Sequence, residues 1–398
     1  MAFADIANPT WTAGAIYYVN LLGALRQLDE TRRPHMDIVL WPHMKAGRYD
    51  VYRELADEVL EVPPSPRAPF VTRQLRRAAR RVGVNPRREP AVSQLLKAHD
   101  VDALFACWME FGPTFETPVL GWIPDFQHKH HPSFFSDEEN RDRDELFDRM
   151  AANCTRIVLS SHDARHDYER FIPAHAGKAR VMRFVSQVPP GVYDEDPAQV
   201  CRQYELPERF FYLPNQFWAH KNHGLVLEAL AMLKASHPDI TVVCTGNPSD
   251  NRNSLYFGEL LARVSRLGVR DSFVVLGWVP HAHTFHLLRQ SLAVLQPSLF
   301  EGWSTTVEET KSIGKTIVVS DIPIHREQAP EQALYFDPAD PTALAERLVE
   351  VSETTAPGPD DRLEASAREA LPHRTREYAE TFLDIVDEVR AGGFSKSA

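Results

Sequence analysis

Cysteine is scarce in this chain of 398 residues: there are four, Cys107, Cys154, Cys201 and Cys244, scattered without metal-ligand spacing. The pattern argues against a disulfide scaffold or a thiolate metal site, and reads as reduced, buried small hydrophobes in a cytoplasmic protein. Long apolar runs are missing too. None would span a bilayer, and the first residues lack the basic and apolar regions of a signal peptide. Positive charge is in deficit, with a formal net charge of -11. That argues against a general nucleic-acid binder, which needs a basic field. Low-complexity tracts and repeats of solenoid length are also absent.

What remains is the composition of an ordinary soluble enzyme, 43% hydrophobic and 25% charged, and a length that suggests two domains. Short apolar runs alternate with helical patterns, the signal of parallel β/α units. In the first half, residues 36–41, 103–107, 119–123 and 156–160 read as strands, with a weak opening strand within 2–7. A helix after Gly14 carries Ile16, Val19, Leu22 and Leu25 on one face. The second half predicts strands of central, doubly covered type at 210–213, 240–244, 273–276, 293–296, 317–320 and 334–336. Val226, Leu230 and Leu233, then Leu260, Val264 and Leu267, mark helices; Gly268 stops the second and Asp340-Pro341 starts another. The junction is placed at Val188-Pro189-Pro190-Gly191, giving domains at 1–188 and 189–373. A second break at 354–361 precedes a last helix from about 374, which has no following strand and is expected to cross back onto the first domain.

The most informative segment runs from Phe300-Glu301-Gly302-Trp303-Ser304 through Thr305-Thr306-Val307 to Glu308-Glu309. Glu301 follows a buried strand, and Glu309 falls in a helix that Thr305 or Thr306 would cap. One carboxylate on a strand-end loop and one on the next helix stand at the edge of a parallel sheet where ligands bind.

With Pro214-Asn215-Gln216-Phe217-Trp218-Ala219-His220-Lys221-Asn222-His223, Cys244-Thr245-Gly246-Asn247 and Leu276-Gly277-Trp278-Val279-Pro280, this segment makes residues 213–336 resemble the donor-binding domain of family-4 retaining glycosyltransferases. The first half resembles them more thinly, through Gly14, Pro124-Asp125-Phe126-Gln127-His128, Pro132-Ser133-Phe134-Phe135 and Ser160-Ser161-His162-Asp163. The resemblance implies the GT-B fold, two Rossmann-like parallel-sheet domains facing each other across a cleft. It implies transfer of a hexose-type sugar from a nucleotide diphosphate-sugar to a saccharide, lipid-linked or other hydroxyl acceptor, with retention. A front-face mechanism, in which departing diphosphate helps deprotonate the acceptor, accounts for the lack of an evident nucleophile.

The residue roles also come from that resemblance. Lys221 neutralises the departing diphosphate; read alone, it is an exposed loop cation. Many members carry an Arg five residues before this Lys, where this chain has Gln216, so His220 or another basic residue would have to complete the clamp. Glu309 accepts from the ribose hydroxyls and Glu301 contacts the sugar hydroxyls. The amides of Thr305 and Thr306 turn to the diphosphate, Ser304 stands where glycine is common, and Glu308 fits a solvated face. Gly14 lets the backbone approach the pyrophosphate, or simply eases a turn. Gly246, Asn247, Val279, Gly302 and Trp303 complete the donor set.

His128 faces the donor sugar from the first domain, with His130 and His131 close by for hydrogen bonding rather than metal binding. Asp125 reads as a general base, a hinge contact or a turn residue, and the three stay open. No Asp-x-Asp pair of the kind that holds a divalent ion beside a diphosphate is read, so no metal and no cofactor are expected. Arg73, Arg76, Arg77, Arg80 and Arg81, with Arg87 and Arg88, fit either a solvated helix face or a peripheral contact with an anionic membrane, at its inner face, or a diphosphate lipid acceptor. A nucleotide-sugar epimerase of the same fold and a catalytically silent nucleotide-sugar binding subunit are the alternatives.

Overall fold

The computed structural model describes residues 1–4, 12–41, 50–63, 90–250 and 252–391. Arg73, Arg76, Arg77, Arg80, Arg81, Arg87 and Arg88 lie outside them. The chain divides into two compact units, one built from Met1–Phe126, Asp137–Phe184 and Thr375–Ala398, the other from Gln127–Ser136 and Val185–Arg374.

The first unit holds a parallel sheet of β1 (Ala2–Ala4), β2 (Asp37–Leu40), β3 (Glu58–Glu61), β4 (Leu104–Cys107), β5 (Val119–Ile123), β6 (Arg156–Leu159) and β7 (Ala179–Val181), in the order β3-β2-β1-β4-β5-β6-β7. The central strands β1, β4 and β5 are apolar and buried, as strands covered on both faces must be. The helix Thr12–Arg26 packs a wider face than its Ile/Val/Leu spacing suggests: Tyr17, Tyr18, Leu21, Leu22, Ala24 and Leu25 are buried, whereas Ile16 and Val19 are only half-buried. Gly14 lies inside this helix, in its first turn, rather than before it.

The second unit repeats the plan with β8 (Phe211–Pro214), β9 (Val242–Thr245), β10 (Phe273–Gly277), β11 (Val294–Gln296), β12 (Ile317–Ser320) and β13 (Ala333–Phe336), all parallel in the order β10-β9-β8-β11-β12-β13. The strand order is the doubly wound one, and it reverses between β8 and β11. Strands β10 and β13 are edges with mostly half-buried residues, not the doubly covered strands expected of them. The helix Tyr256–Leu267 ends on Gly268 at φ 64°, and Asp340 caps Pro341–Thr354 by accepting from the Thr342 amide.

The last helix is longer than expected. It runs Asp361–Ala391 with Pro372 inside it, so it starts directly after the break at 354–361 and not at about 374. Its residues from Thr375 on belong to the first unit, where Phe382 stacks on Phe3 at 5.7 Å and Glu388 takes Arg156 and Arg180.

Candidate active site

The reversal of strand order leaves a gap at the C-terminal edge of the second sheet, and the sequence fills it with polar groups. Strand β11 ends on Gln296, a fully buried amide after two apolar residues. A buried amide must be bonded at both ends. Its Oε1 accepts from Asn215 Nδ2 at 2.5 Å, and its Nε2 donates to Glu301 Oε1 at 2.9 Å and to Ser304 Oγ at 2.7 Å. Glu301 Oε1 also receives Lys221 Nζ at 2.6 Å, with the Lys and Glu side chains 13% and 9% exposed. Lys221 is therefore no free surface cation. The loops after β8 and β11 are further joined by the Leu299 amide donating to the His220 carbonyl at 2.8 Å.

Ser304 caps the helix Thr305–Ile313. Its extended backbone lets Oγ accept from the Val307 amide, so the cap is Ser304 and not Thr305 or Thr306, which are the first helical residues. Amides in that first turn have no acceptor within the helix, which makes the helix start an anion site by construction. Thr306 donates from Oγ1 to Pro214 O and Asn215 Oδ1, both at 3.3 Å. Gln328, from the helix Pro323–Gln328, accepts the Ser304 amide and donates back to its carbonyl.

The two glutamates of this helix are both buried. Glu309 lies 2.9 Å from His281 Nε2. Burial pulls the His281 pKa down, but the hydrogen bond and charge of Glu309 outweigh it and leave it raised. Glu308 is 1% exposed and takes Lys311 at 3.1 Å, Gln328 at 3.2 Å and Arg374. This corrects the solvated face expected of Glu308: its partners Gln328 and Arg374 come from far along the chain, out of reach of a local helical pattern.

Gln216 ties a third loop in, its Oε1 accepting from the Asn247 amide at 2.9 Å. Beside it Gly246 has φ 142°, and a Cβ there would sit 2.2 Å from the Asn215 carbonyl, so only glycine fits. His220 does not complete a cationic clamp. Its ring is buried, and desolvation, helped by Lys221 and Arg252, drives its pKa well below the ordinary value, which keeps it neutral. The other cation in this region is Arg252, which the sequence reading missed. It is paired in a bidentate manner with Asp250 at 2.9 and 3.0 Å, lies over the Trp218 ring at 4.8 Å, and donates to Gln127 at 3.0 Å.

Gln127 begins the short helix Gln127–His130, which packs within the second unit, with His130 and His131 against Phe300 at 5.2 and 5.9 Å. The buried His128 thus belongs to the second unit, which corrects the expectation from its place in the sequence that it belongs to the first. Asp125 is half-buried and stays with the first unit, as does Gly14. Val279 is buried and Trp278 beside it is 73% exposed, while Gly302 and Trp303 lie in the turn between β11 and the Ser304 cap.

Three Asp-x-Asp spacings do occur in the chain, the first at Asp100 and Asp102, ahead of β4 in the first unit. Asp142 and Asp144 sit on the helix Asp137–Asn153, and Asp196, beside Asp194, caps the helix Pro197–Gln203; none is on a strand-end loop of the second sheet. Among the described residues no helix is long and apolar enough to cross a membrane.

Comparison with known proteins agrees with this geometry. No curated protein matches the chain. Over nearly their full lengths, solved structures share the two-sheet fold at low identity. Anabaena HepE in complex with UDP is 15% identical, with a TM-score of 0.61 over 98% of this chain and 97% of that one. A glycosyltransferase from Rickettsia africae is 13% identical, with a TM-score of 0.64 over 98% of both. A UDP-forming α,α-trehalose-phosphate synthase from Burkholderia xenovorans is 14% identical, with a TM-score of 0.63 over 98% of both. Residues 203–370, which hold the whole switch-point assembly of the second sheet, match the profile of the group 1 glycosyl transferases. That segment therefore carries the group 1 glycosyl transferase profile, in a chain with the GT-B fold of two parallel Rossmann-like sheets.

Proposed function

We propose that the chain is a family-4 retaining transferase that moves a hexose from a nucleotide diphosphate-sugar to a hydroxyl of a saccharide or lipid-linked acceptor. The observation that carries this reading is the Lys221–Glu301 pair, fixed by Gln296 at the switch point and flanked by the open first turn of Thr305–Ile313. In this reading the ammonium and the helix amides take the diphosphate, Glu301 turns its second oxygen to the sugar hydroxyls, and Glu309 accepts from the ribose. As the glycosidic oxygen departs it gains charge, and a cation already held in place by Glu301 meets that charge without reorganising. Gln216 and His220 add no positive charge, so Lys221 and the helix dipole carry the load, with Arg252 held nearby by Asp250.

The donor is proposed to be a UDP-sugar, as in the HepE complexes with UDP and UDP-glucose. Incubation with UDP-, GDP-, ADP- and dTDP-sugars tests the reading. Transfer or slow donor hydrolysis supports it, with an unchanged anomeric configuration in the product by proton NMR. Altered sugar on intact diphosphate would identify an epimerase instead, and binding without turnover a silent subunit. The positive potential comes from the protein, so we expect turnover to continue in EDTA at an undiminished initial rate. A strict requirement for added magnesium or manganese overturns that part of the mechanism.

A further inference from the structure

The first unit holds a separate group of side chains of metal-ligating type at the N-terminal ends of β2 and of the edge strand β3. Ligand atoms of His35, Asp37 and Glu58 all lie within 4.8 Å of one another. The fold makes this cluster: Asp37 opens β2, Glu58 opens β3, and the parallel register sets the two directly opposite. His35 precedes Asp37 by two residues, which returns its side chain to the same side. His99, just after the helix Pro90–Ala98, adds a second imidazole, with Nδ1 3.3 Å from Glu58 Oε2.

Asp37 distinguishes this group from ordinary surface charge. It is 2% exposed, yet its Oδ1 has no hydrogen-bond partner, although His35 Nε2 is only 3.0 Å away. With Glu58 gathered on the same spot within 4.8 Å, this buried oxygen and the imidazole nitrogen are close enough to open around one cation, whose tetrahedral ligands at 2.0–2.2 Å stand about 3.3–3.5 Å apart. Burial pushes the Asp37 carboxyl pKa up, with His35 and the amino group of Met1 opposing. The neighbouring Asp57 is committed elsewhere, to Arg26 at 2.8 Å and the Met36 amide at 2.8 Å, and is not counted as a ligand.

We propose that His35, Asp37 and Glu58, with His99 as the fourth ligand, bind a zinc ion that clamps β2 to β3. Mixed imidazole and carboxylate donors suit zinc, whereas calcium and magnesium take oxygen donors. The site lies in the first unit and is independent of how the donor residues of the second unit act.

The full-length protein, stripped with chelator and dialysed, is titrated with zinc chloride by calorimetry, and its melting temperature is followed with and without zinc. One zinc per chain is expected, with a rise in melting temperature because the ion binds the folded state. Magnesium chloride at the same concentration gives no rise. With 17 histidines in the chain some weak background binding is expected, so the variants decide. His35 is exposed, and His35→Ala should fold, bind zinc at least tenfold more weakly and lose the thermal gain. His99→Ala, also at an exposed position, should weaken binding by a smaller factor and repeats the test if His35→Ala is poorly behaved. Absence of saturable zinc binding in the parent, or parent-like binding and thermal gain in the variants, overturns the proposal.

Discussion

Glu308 and Glu309 differ by one position and by what removing each should do. A carboxylate as buried as Glu308, held by Lys311, Gln328 and Arg374, leaves two cations uncompensated when deleted. We expect Glu308→Ala to cost about 3 kcal/mol of stability, seen in a chemical denaturation curve. Glu309 is held by one histidine that is 44% exposed at its side chain, and is proposed to bind the ribose. Glu309→Ala should therefore cost about 1.5–3 kcal/mol of nucleoside diphosphate affinity per hydrogen bond lost, measured by calorimetry on a variant that melts near the parent temperature. A stable Glu308→Ala variant with weakened nucleotide binding would reverse the two assignments.

The buried histidines set a pH limit. Burial, with Lys221 adding to it, depresses the pKa of His223 to about 3, and burial depresses that of His325 to about 4. The unfolded chain takes up a proton at each near pH 6.5 and the folded protein does not. Their contribution is thus fully present above about pH 6.5 and is lost as pH falls toward those folded values, by up to about 1.4 kcal/mol per pH unit for each histidine. The melting temperature should drop between pH 7 and pH 5. His223→Phe, which keeps a ring against Phe217, should flatten that dependence, and an unaltered slope would show that His223 is not its source.

Among elements, legibility followed coverage. Strands with three to five contiguous apolar residues, such as Val119–Ile123 and Ile317–Ser320, could be read directly because burial on both faces forces such runs. The edge strands of the first sheet could not, unlike β10 and β13 of the second. Glu58–Glu61 has two apolar residues between glutamates and Ala179–Val181 is three residues with a central Arg, and both are stabilised by one neighbour only. The site was legible as a series of motifs in order, because strand-end loops of a parallel sheet converge at one edge. Its partnerships were not, since Gln296, Gln328 and Arg252 meet their partners only through the tertiary fold; a polar residue closing the apolar run of β11 was the one local sign of Gln296. The contact between the loops after β8 and β9 yields a prediction at this scale. Gly246→Ala forces either φ 142° on a side-chain-bearing residue or retreat of the Asn215 carbonyl. We expect at least a tenfold loss of nucleotide affinity by calorimetry, with a lowered melting temperature; parent-like values would mean that the loops separate at no cost.

At the scale of the whole molecule, the two ends of the chain share one core. Phe382 is fully buried between Phe3 and Phe105, and Phe382→Ala should cost about 3–5 kcal/mol. Because these residues belong to the first unit, nucleotide affinity should hold at temperatures below the onset of unfolding. Loss of affinity in the cold would show that the damage spreads into the second sheet.

The same arrangement constrains how the protein can be made. The helix that supplies Phe382, Tyr378 and Glu388 to the first unit is translated after every strand of both sheets. On the ribosome, the second unit can bury its six strands as soon as Arg374 has emerged. The first unit must wait with the aromatic face of β1 and β4 uncovered until that helix has followed, so of the two units the one that is begun first is completed second.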